Sequence, residues 1–329
     1  MNTIIPVASG KGGVGKSILC ANIGLALAAK SKTTVLVDLD LGGSNLHTLL
    51  SVDNRHEGIG DLIYSKDRDL TVGSLVIPTP HDGLFLVPGD CLVPGTANLP
   101  SFRKKKLQSD LHSLVSDFVM VDLSAGSSYN TVDFFLMSKS GIVVLTPETT
   151  SVLNAYSFLK TAVWRLLYRS FPSKSPERDL IDEFMTGRIE KNGQSLETLI
   201  EMLGTIDERS AGHAVEQLRD FSPRVIINEG KSQVDFRIAA RLREVVARNL
   251  GIQVEYIGFI PFDAKVGLSL VKRTPAYEIL TGTPFADAID RVVQNLIAAP
   301  AGQDPALFDD NQDLKELAAA ARSGLARRN

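Results

Sequence analysis

The chain has only two cysteines, Cys20 and Cys91, among 329 residues, a single tryptophan, and an aromatic content of 6%. Two thiols far apart in sequence supply neither a disulfide framework nor a metal-ligand spacing, and they fit a reducing compartment. No apolar run approaches the ~18–20 residues of a membrane span. A net charge of −3 gives no global basic field of the kind that advertises nucleic-acid binding. The first strand-like segment begins almost at Met1, which leaves no room for a secretory leader, so the expected compartment is the cytoplasm. What remains, 44% hydrophobic and 22% charged residues, is the composition of an ordinary globular protein.

Against this plain background one run stands out. Gly10-Lys-Gly-Gly-Val-Gly-Lys-Ser17 fits G-x-x-x-x-G-K-[ST], a loop whose backbone N–H groups cradle phosphates while its lysine and hydroxyl serve the phosphates and Mg²⁺. Gly12, Gly13, Val14, Gly15, Lys16, Ser17 and Ile18 are the expected nucleotide contacts. The apolar segment Ile4–Ala8 precedes the run. A helical pattern with Leu19, Ile23 and Leu27 follows, so the helix N-terminus would face the phosphates. Pro6 fits awkwardly, because it removes a ladder hydrogen bond from that strand. Lys11 is a second lysine that an ordinary phosphate loop does not need.

Strands alternate with helices along most of the chain, which predicts a mainly parallel sheet of seven or eight strands with helices on both faces, the three-layer α/β/α plan of P-loop NTPases. Seven are readable: Ile4–Ala8, Thr34–Asp38, Leu84–Val87, Phe118–Asp122, Ile142–Thr146, Val225–Asn228 and Tyr256–Ile260. Residues 1–300 are expected to form one domain. A stretch at about 169–222 breaks the rhythm, being far longer than the usual ~2–6-residue connection, and reads as a small helical insertion. Residues 301–329 form a tail with a short helix.

Three aspartates stand at strand ends, where ligands bind in a parallel sheet. Asp38 closes the second strand, Asp40 follows it before a Gly-Gly pair, and Asp122 caps Phe-Val-Met-Val as metal binding demands. Singly, each could merely cap a turn. Together with the phosphate loop they outline a Mg–nucleotide site.

The run 11–17 resembles the deviant Walker A motif of the MinD/ParA ATPases, Asp40-x-Gly-x-x-Asn45-Leu46 their switch I, and Asp122-Leu-Ser-Ala-Gly126 their switch II. Switch II usually carries proline or glycine where Ser124 stands. Gly83–Gly89, Thr146-Pro-Glu-Thr149, Val225–Asn228 and Tyr256-Ile-Gly-Phe-Ile-Pro261-x-Asp263 narrow the resemblance toward the FlhG/FleN branch. The resemblance implies ATP/ADP and Mg²⁺ as cofactors, with Ser17 as the metal ligand and Asp38 and Asp122 holding the metal through water. It implies Asn228, Pro261 and Asp263 beside the adenine, Asp40 positioning the attacking water, and Lys16 on the phosphates. It further implies that Lys11 reaches into a partner's nucleotide, so that ATP bridges a homodimer. The function it implies is a slow switch ATPase that sets the position, number or assembly of a cellular structure, flagella among the candidates. The insertion is not part of the family's common core: it either docks an effector, extends the dimer contact or is a plain helical excursion.

Two other readings stay open. A ParA-like DNA-partition ATPase would use basic residues such as Arg237, Arg241 and Arg248, or Arg103–Lys106, on a phosphate backbone. A solvated helix face is the simpler account. A metabolic ATP-dependent ligase of the same fold would need the phosphate loop but not Lys11. The tail places Leu314, Leu317, Ala321 and Leu325 on one face, the pattern of a peripheral anchor on the inner membrane face. Its apolar area is small and lacks aromatics, which favours a plain surface helix.

Overall fold

The computed structural model describes residues 2–41, 43–53, 55–65, 70–89, 99–186, 195–298 and 311–326; Cys91 lies outside them, and the side chains from 322 onward, Leu325 included, are likewise not described. Eight strands form one sheet: β1 (Thr3–Ala8), β2 (Thr34–Leu39), β3 (Ile77–Pro78), β4 (Leu84–Val87), β5 (Phe118–Leu123), β6 (Ile142–Leu145), β7 (Arg224–Gly230) and β8 (Glu255–Pro261). Their order is β3-β4-β2-β5-β1-β6-β7-β8. All neighbours are parallel except β3 and β4. The sequence pattern missed β3, a two-residue edge piece ending on Pro78, where a missing N–H is tolerated. Pro6 does lie in the central strand. Pairing with β6 begins only at Val7, so most of the ladder on that side lies beyond the proline.

The strands are buried on both faces, as parallel sheets are. Side chains alternate: Val119, Val121 and Leu123 enter one core, while Phe118 and Met120 enter the other. The second core is covered by α1 (Lys16–Ala29), α2 (Leu46–Leu49), α12 (Ala276–Ile279) and α13 (Pro284–Ala298), with α11 (Val266–Lys272) at its rim. The first is covered by α3 (Ile59–Tyr64), α4 (Ser101–His112), α5 (Tyr129–Phe135), α6 (Thr149–Ser170), α7 (Pro176–Met185), α8 (Leu196–Ile206), α9 (Glu208–Asp220), α10 (Asp235–Leu250) and α14 (Gln312–Ala326).

The helices α7–α9 are not a loose excursion. Ser175, Ser195 and Asp207 cap them with side-chain hydrogen bonds to their first-turn amides. Ile181, Phe184, Leu199, Leu203 and Leu218 are buried in the same core as Phe158, Leu159 and Leu167 of α6. Trp164 packs on Phe184 with ring centroids 5.9 Å apart.

The C-terminal helix is also part of the fold. Leu314, Leu317 and Ala321 turn inward and are buried, so the apolar face expected for a surface helix or a membrane anchor is packed against protein. Asp313, nearly buried, pairs with the buried Arg243 of α10 and accepts the Tyr256 N–H of edge strand β8 at 2.8 Å. Among the described residues no helix is long and apolar enough to cross a membrane. Removing one member of a buried pair strands the other's charge. Asp313→Ala should therefore lower unfolding stability by about 3 kcal/mol, read as a shift of the urea midpoint of Trp164 fluorescence.

Candidate functional site

The carboxyl edge of the sheet brings the expected residues to one place. The loop after β1 leads straight into α1. Gly13 and Gly15 adopt left-handed φ of 79° and 82°, which L side chains rarely adopt. Around Gly12 and Gly13 an added Cβ would meet nothing within 4 Å, so the loop is an open cradle of N–H groups. Gly10 is required for the opposite reason: a Cβ there would lie 2.1 Å from the Asn154 carbonyl oxygen of α6. The loop is wedged against that helix.

A cavity of about 460 Å³ opens over the loop, lined by Gly12 to Ile18 on one side and by Asp40, Asn45, Thr48, Ala125, Glu229 and Leu270 among others opposite. Lys16 in its lining rests on buried charge. Asp38 and Asp122 are register partners on β2 and β5 and both are fully buried. The Lys16 ammonium lies 2.5 Å from Asp122 Oδ1 and 4.0 Å from Asp40 Oδ2. Burial pulls the Lys16 pKa down, but the charge and hydrogen bond of Asp122 overcome it and leave the lysine raised. Burial pushes Asp122 up to about 6 against the opposing pull of Lys16. Its Oδ2 is buried without a hydrogen-bond partner. An orphaned carboxylate oxygen beside a phosphate cradle and the Ser17 hydroxyl is a donor set that suits Mg²⁺.

Asp38 is engaged differently from expectation. Its Oδ2 accepts from Ser44 Oγ at 2.7 Å and from the N–H groups of Asn45 and Leu46, and its Oδ1 from the Asp40 N–H. It staples the 40–46 loop to the sheet. Burial raises its pKa, with these bonds opposing.

Among the described residues none of the three residues expected at the base lines the cavity. Asn228 is buried and its Nδ2 donates to the Val14 carbonyl at 2.8 Å, under the phosphate loop. A side chain so committed buttresses the loop. Pro261 is buried at the end of β8, and Asp263 Oδ1 accepts the Lys265 N–H in a turn. The wall beside the loop is instead Glu229, held at a left-handed φ of 57°, with Leu270 and Leu49. Sequence reasoning missed Glu229; its only signal was adjacency to Asn228.

Lys11 does not face the cavity of its own chain. Its Nζ lies 2.7 Å from Glu148 Oε2 and 3.4 Å from Thr150 Oγ1 at the start of α6. The hydrogen bond to Lys11 holds the Glu148 carboxyl below its usual pKa. The Arg103–Lys106 run is no continuous basic patch, because Lys104 is buried against Asp133 and Lys106 caps the Leu70 carbonyl. Arg237, Arg241 and Arg248 are exposed on α10. Cys20 is buried in α1 beneath the loop, a core residue.

A glycine cradle at a helix N-terminus, a buried lysine and strand-end carboxylates on a parallel three-layer sheet define a P-loop nucleotide-binding domain. Residues 5–275 match the CobQ/CobB/MinD/ParA nucleotide binding domain, and the chain belongs to that family. It is similar to the antiactivator FleN of Pseudomonas aeruginosa, with 24% identity over 92% of this chain and 89% of FleN. It is 31% identical to the septum site-determining protein MinD of Buchnera aphidicola over 47% of this chain and 57% of that protein, so that alignment spans little more than half of the relative. The MinD complexed with Mg-ADP from Pyrococcus horikoshii shares the fold, with a TM-score of 0.61 at 18% identity, over 93% of this chain and all of that one (100%).

The neighbouring residues Asn228 and Glu229 stand differently, one bonded under the loop and one lining the cavity, and their variants should differ. Asn228→Ala should weaken ATP, ADP and GTP binding alike, because it loosens the loop. Glu229→Ala should change the ratio of ATP to GTP affinity while triphosphate binding persists. Competition against a fluorescent nucleotide distinguishes the two; equal behaviour of both variants would refute the division.

Proposed function

We propose that this chain is an ATP-dependent dimerising switch ATPase of the MinD/FlhG type, which hydrolyses ATP slowly to control the position, number or assembly of a cellular structure. The observation that carries it is the place of Lys11. The loop already supplies one buried lysine to its own cavity, Lys16, while Lys11 stands outside that cavity on an exposed ion pair. Such a pair is worth little in water and is readily exchanged. The similarity to FleN along nearly the whole chain and to MinD along half of it supports a positioning switch over a metabolic ligase.

The chain's own residues outline the chemistry. Lys16 leaves Asp122 for the incoming β/γ-phosphates, and the loop N–H groups replace phosphate hydration. Asp122, released from Lys16, presents both carboxylate oxygens to the space beside Ser17. When bound, Mg²⁺ would be held there by Ser17, and through water by Asp122 and Asp38, and would supply charge neutralisation on the phosphates. Asp40 orients the water that attacks the γ-phosphorus. Lys11 of a second copy, freed from its Glu148, then stabilises the charge that develops as the β–γ bridge breaks, in the manner of an arginine finger. Cytoplasmic ATP thus holds two copies together until hydrolysis releases them.

The packed helices α7–α9 offer an effector surface at the far end of α6, where Ile206 and Val215 stay partly exposed. Because these helices share the core, excising them would unfold it; surface variants are the proper probe. Ile206→Asp with Val215→Asp should keep ATP turnover but lose effector-dependent stimulation or capture, and unchanged capture would refute this surface.

Light scattering after gel filtration, with ATP under non-hydrolysing conditions, should show a dimer for the native chain and for Asp40→Ala. Lys11→Ala should remain a monomer with ATP bound and lose about 10²-fold or more of its phosphate release. Intact dimerisation and turnover in Lys11→Ala would overturn the proposal.

A further inference from the structure

Ser124 occupies the place where the resembling switch II motifs carry proline or glycine, and its hydroxyl is engaged. Ser124 Oγ lies 3.0 Å from Asp40 Oδ1 and 3.4 Å from the Leu39 carbonyl oxygen. A hydroxyl has one proton to donate, and the nearer, charged acceptor takes it. The donor is firmly placed. Asp122, two residues earlier, is anchored at the end of β5, and Gly126, two residues later, donates its N–H to the Ser9 carbonyl at 2.9 Å. The acceptor's backbone is held too, by the Asp40 N–H on Asp38 Oδ1, but its carboxylate lies beyond the end of β2 and its other oxygen faces Lys16 across 4.0 Å.

We infer that Ser124 is a positioning residue for hydrolysis. Its hydroxyl pins one oxygen of Asp40 and leaves the other aimed into the phosphate end of the cavity. Without it, no other side-chain hydrogen bond among the described residues opposes the pull of Lys16 on the Asp40 carboxylate. Asp40 would then swing onto the lysine that the phosphates need, and lose its grip on the attacking water. Both cavity-lining residues involved, Asp40 and Ala125 beside Ser124, belong to the wall opposite the phosphate loop. One hydroxyl therefore ties the 40–46 loop to the 122–126 segment. In the step it serves, the water oxygen bonds to the γ-phosphorus as the β–γ bridging P–O bond breaks. ADP leaves with the bonding pair, and both water hydrogens leave on inorganic phosphate, one on the new P–OH and the other on a phosphate oxygen. The inference rests on the reading of Asp40 as the residue that orients water.

The test measures steady-state phosphate release at saturating Mg-ATP and nucleotide affinity by fluorescence competition, on the full chain at fixed protein concentration. Ser124→Ala and Ser124→Gly should lower kcat about tenfold with nucleotide affinity unchanged, since small misplacements of an orienting group act on rate. Ser124→Thr, which keeps the hydroxyl, should retain the native rate. In an Asp40→Ala background, Ser124→Ala should cost nothing further, because the two act as one unit. Native kcat in Ser124→Ala beside a crippled Asp40→Ala would overturn the inference alone. So would additive losses in the double variant, or a loss of affinity that accounts for the rate. Native turnover in Asp40→Ala would overturn the reading of Asp40 and the inference with it.

Discussion

Two fully buried carboxylates stand side by side at the centre of this sheet, and the site is organised around making them tenable. Asp38 and Asp122 pair in register across β2 and β5. Like charges so placed in a low-dielectric interior would repel and lose hydration. The chain resolves this asymmetrically. Asp38 accepts four hydrogen bonds from the 40–46 loop, which fixes that loop. Asp122 is compensated by Lys16 from the phosphate loop, which fixes the lysine, and one oxygen is left without a partner. The resting site therefore already contains the interactions that a triphosphate must exchange: a cation to be taken and a carboxylate oxygen to be given to a cation. The cost of burying these groups is built into the fold, so a ligand of opposite charge pattern meets a preorganised receptor.

The same constraint reaches outward through α6. Glu148 at its start holds Lys11, its backbone at Asn154 abuts Gly10, and its later turns carry α7–α9. Between these, Asp133 of α5, just beyond the 122–126 segment, binds Arg165 and Arg169 of α6 together with Lys104. Burial raises the Asp133 pKa and these cations more than offset it, holding the carboxyl below its usual value. Arg165 lies over Tyr129 and Tyr168, and Arg178 of α7 lies over Tyr168. A run of packed charge and ring contacts thus joins α5 and α4 to α6 and on to α7.

What could be read from the sequence was whatever chemistry is local in the chain. The phosphate loop, the strand-end aspartates and the alternating elements each declare themselves within ten residues. Contacts that fold over long separations did not. Nothing local indicates that Lys11 meets Glu148, 137 residues away, or that Asn228 reaches back to Val14. A motif position shows that a polar side chain is wanted there, but not whether it faces ligand or supports the loop that does. Glu229 escaped notice because its orientation comes from a left-handed backbone at a strand end, which no residue type announces. Val115, next to the buried Leu114, lies past the end of α4 and is almost wholly exposed, at 97%.

The last helix shows how far one pattern can be stretched. An apolar stripe at Leu314, Leu317 and Ala321 is the same in sequence whether it meets lipid, solvent or protein. Two polar details decide among them. Edge strand β8 leaves backbone groups that need cover, and the Asp313 carboxylate accepts one of them at Tyr256. The same carboxylate neutralises Arg243, which lies buried on α10 and also donates to Asn311 and the Val254 carbonyl. Lifting α14 onto a bilayer would uncover the edge amide and strand a guanidinium in an apolar wall, a cost that three modest side chains could not offset at an interface where affinity scales with apolar area. Ala321, too small to anchor in lipid, is the size that lets a helix lie close against a sheet edge. In this chain the described part of the stripe belongs to the fold.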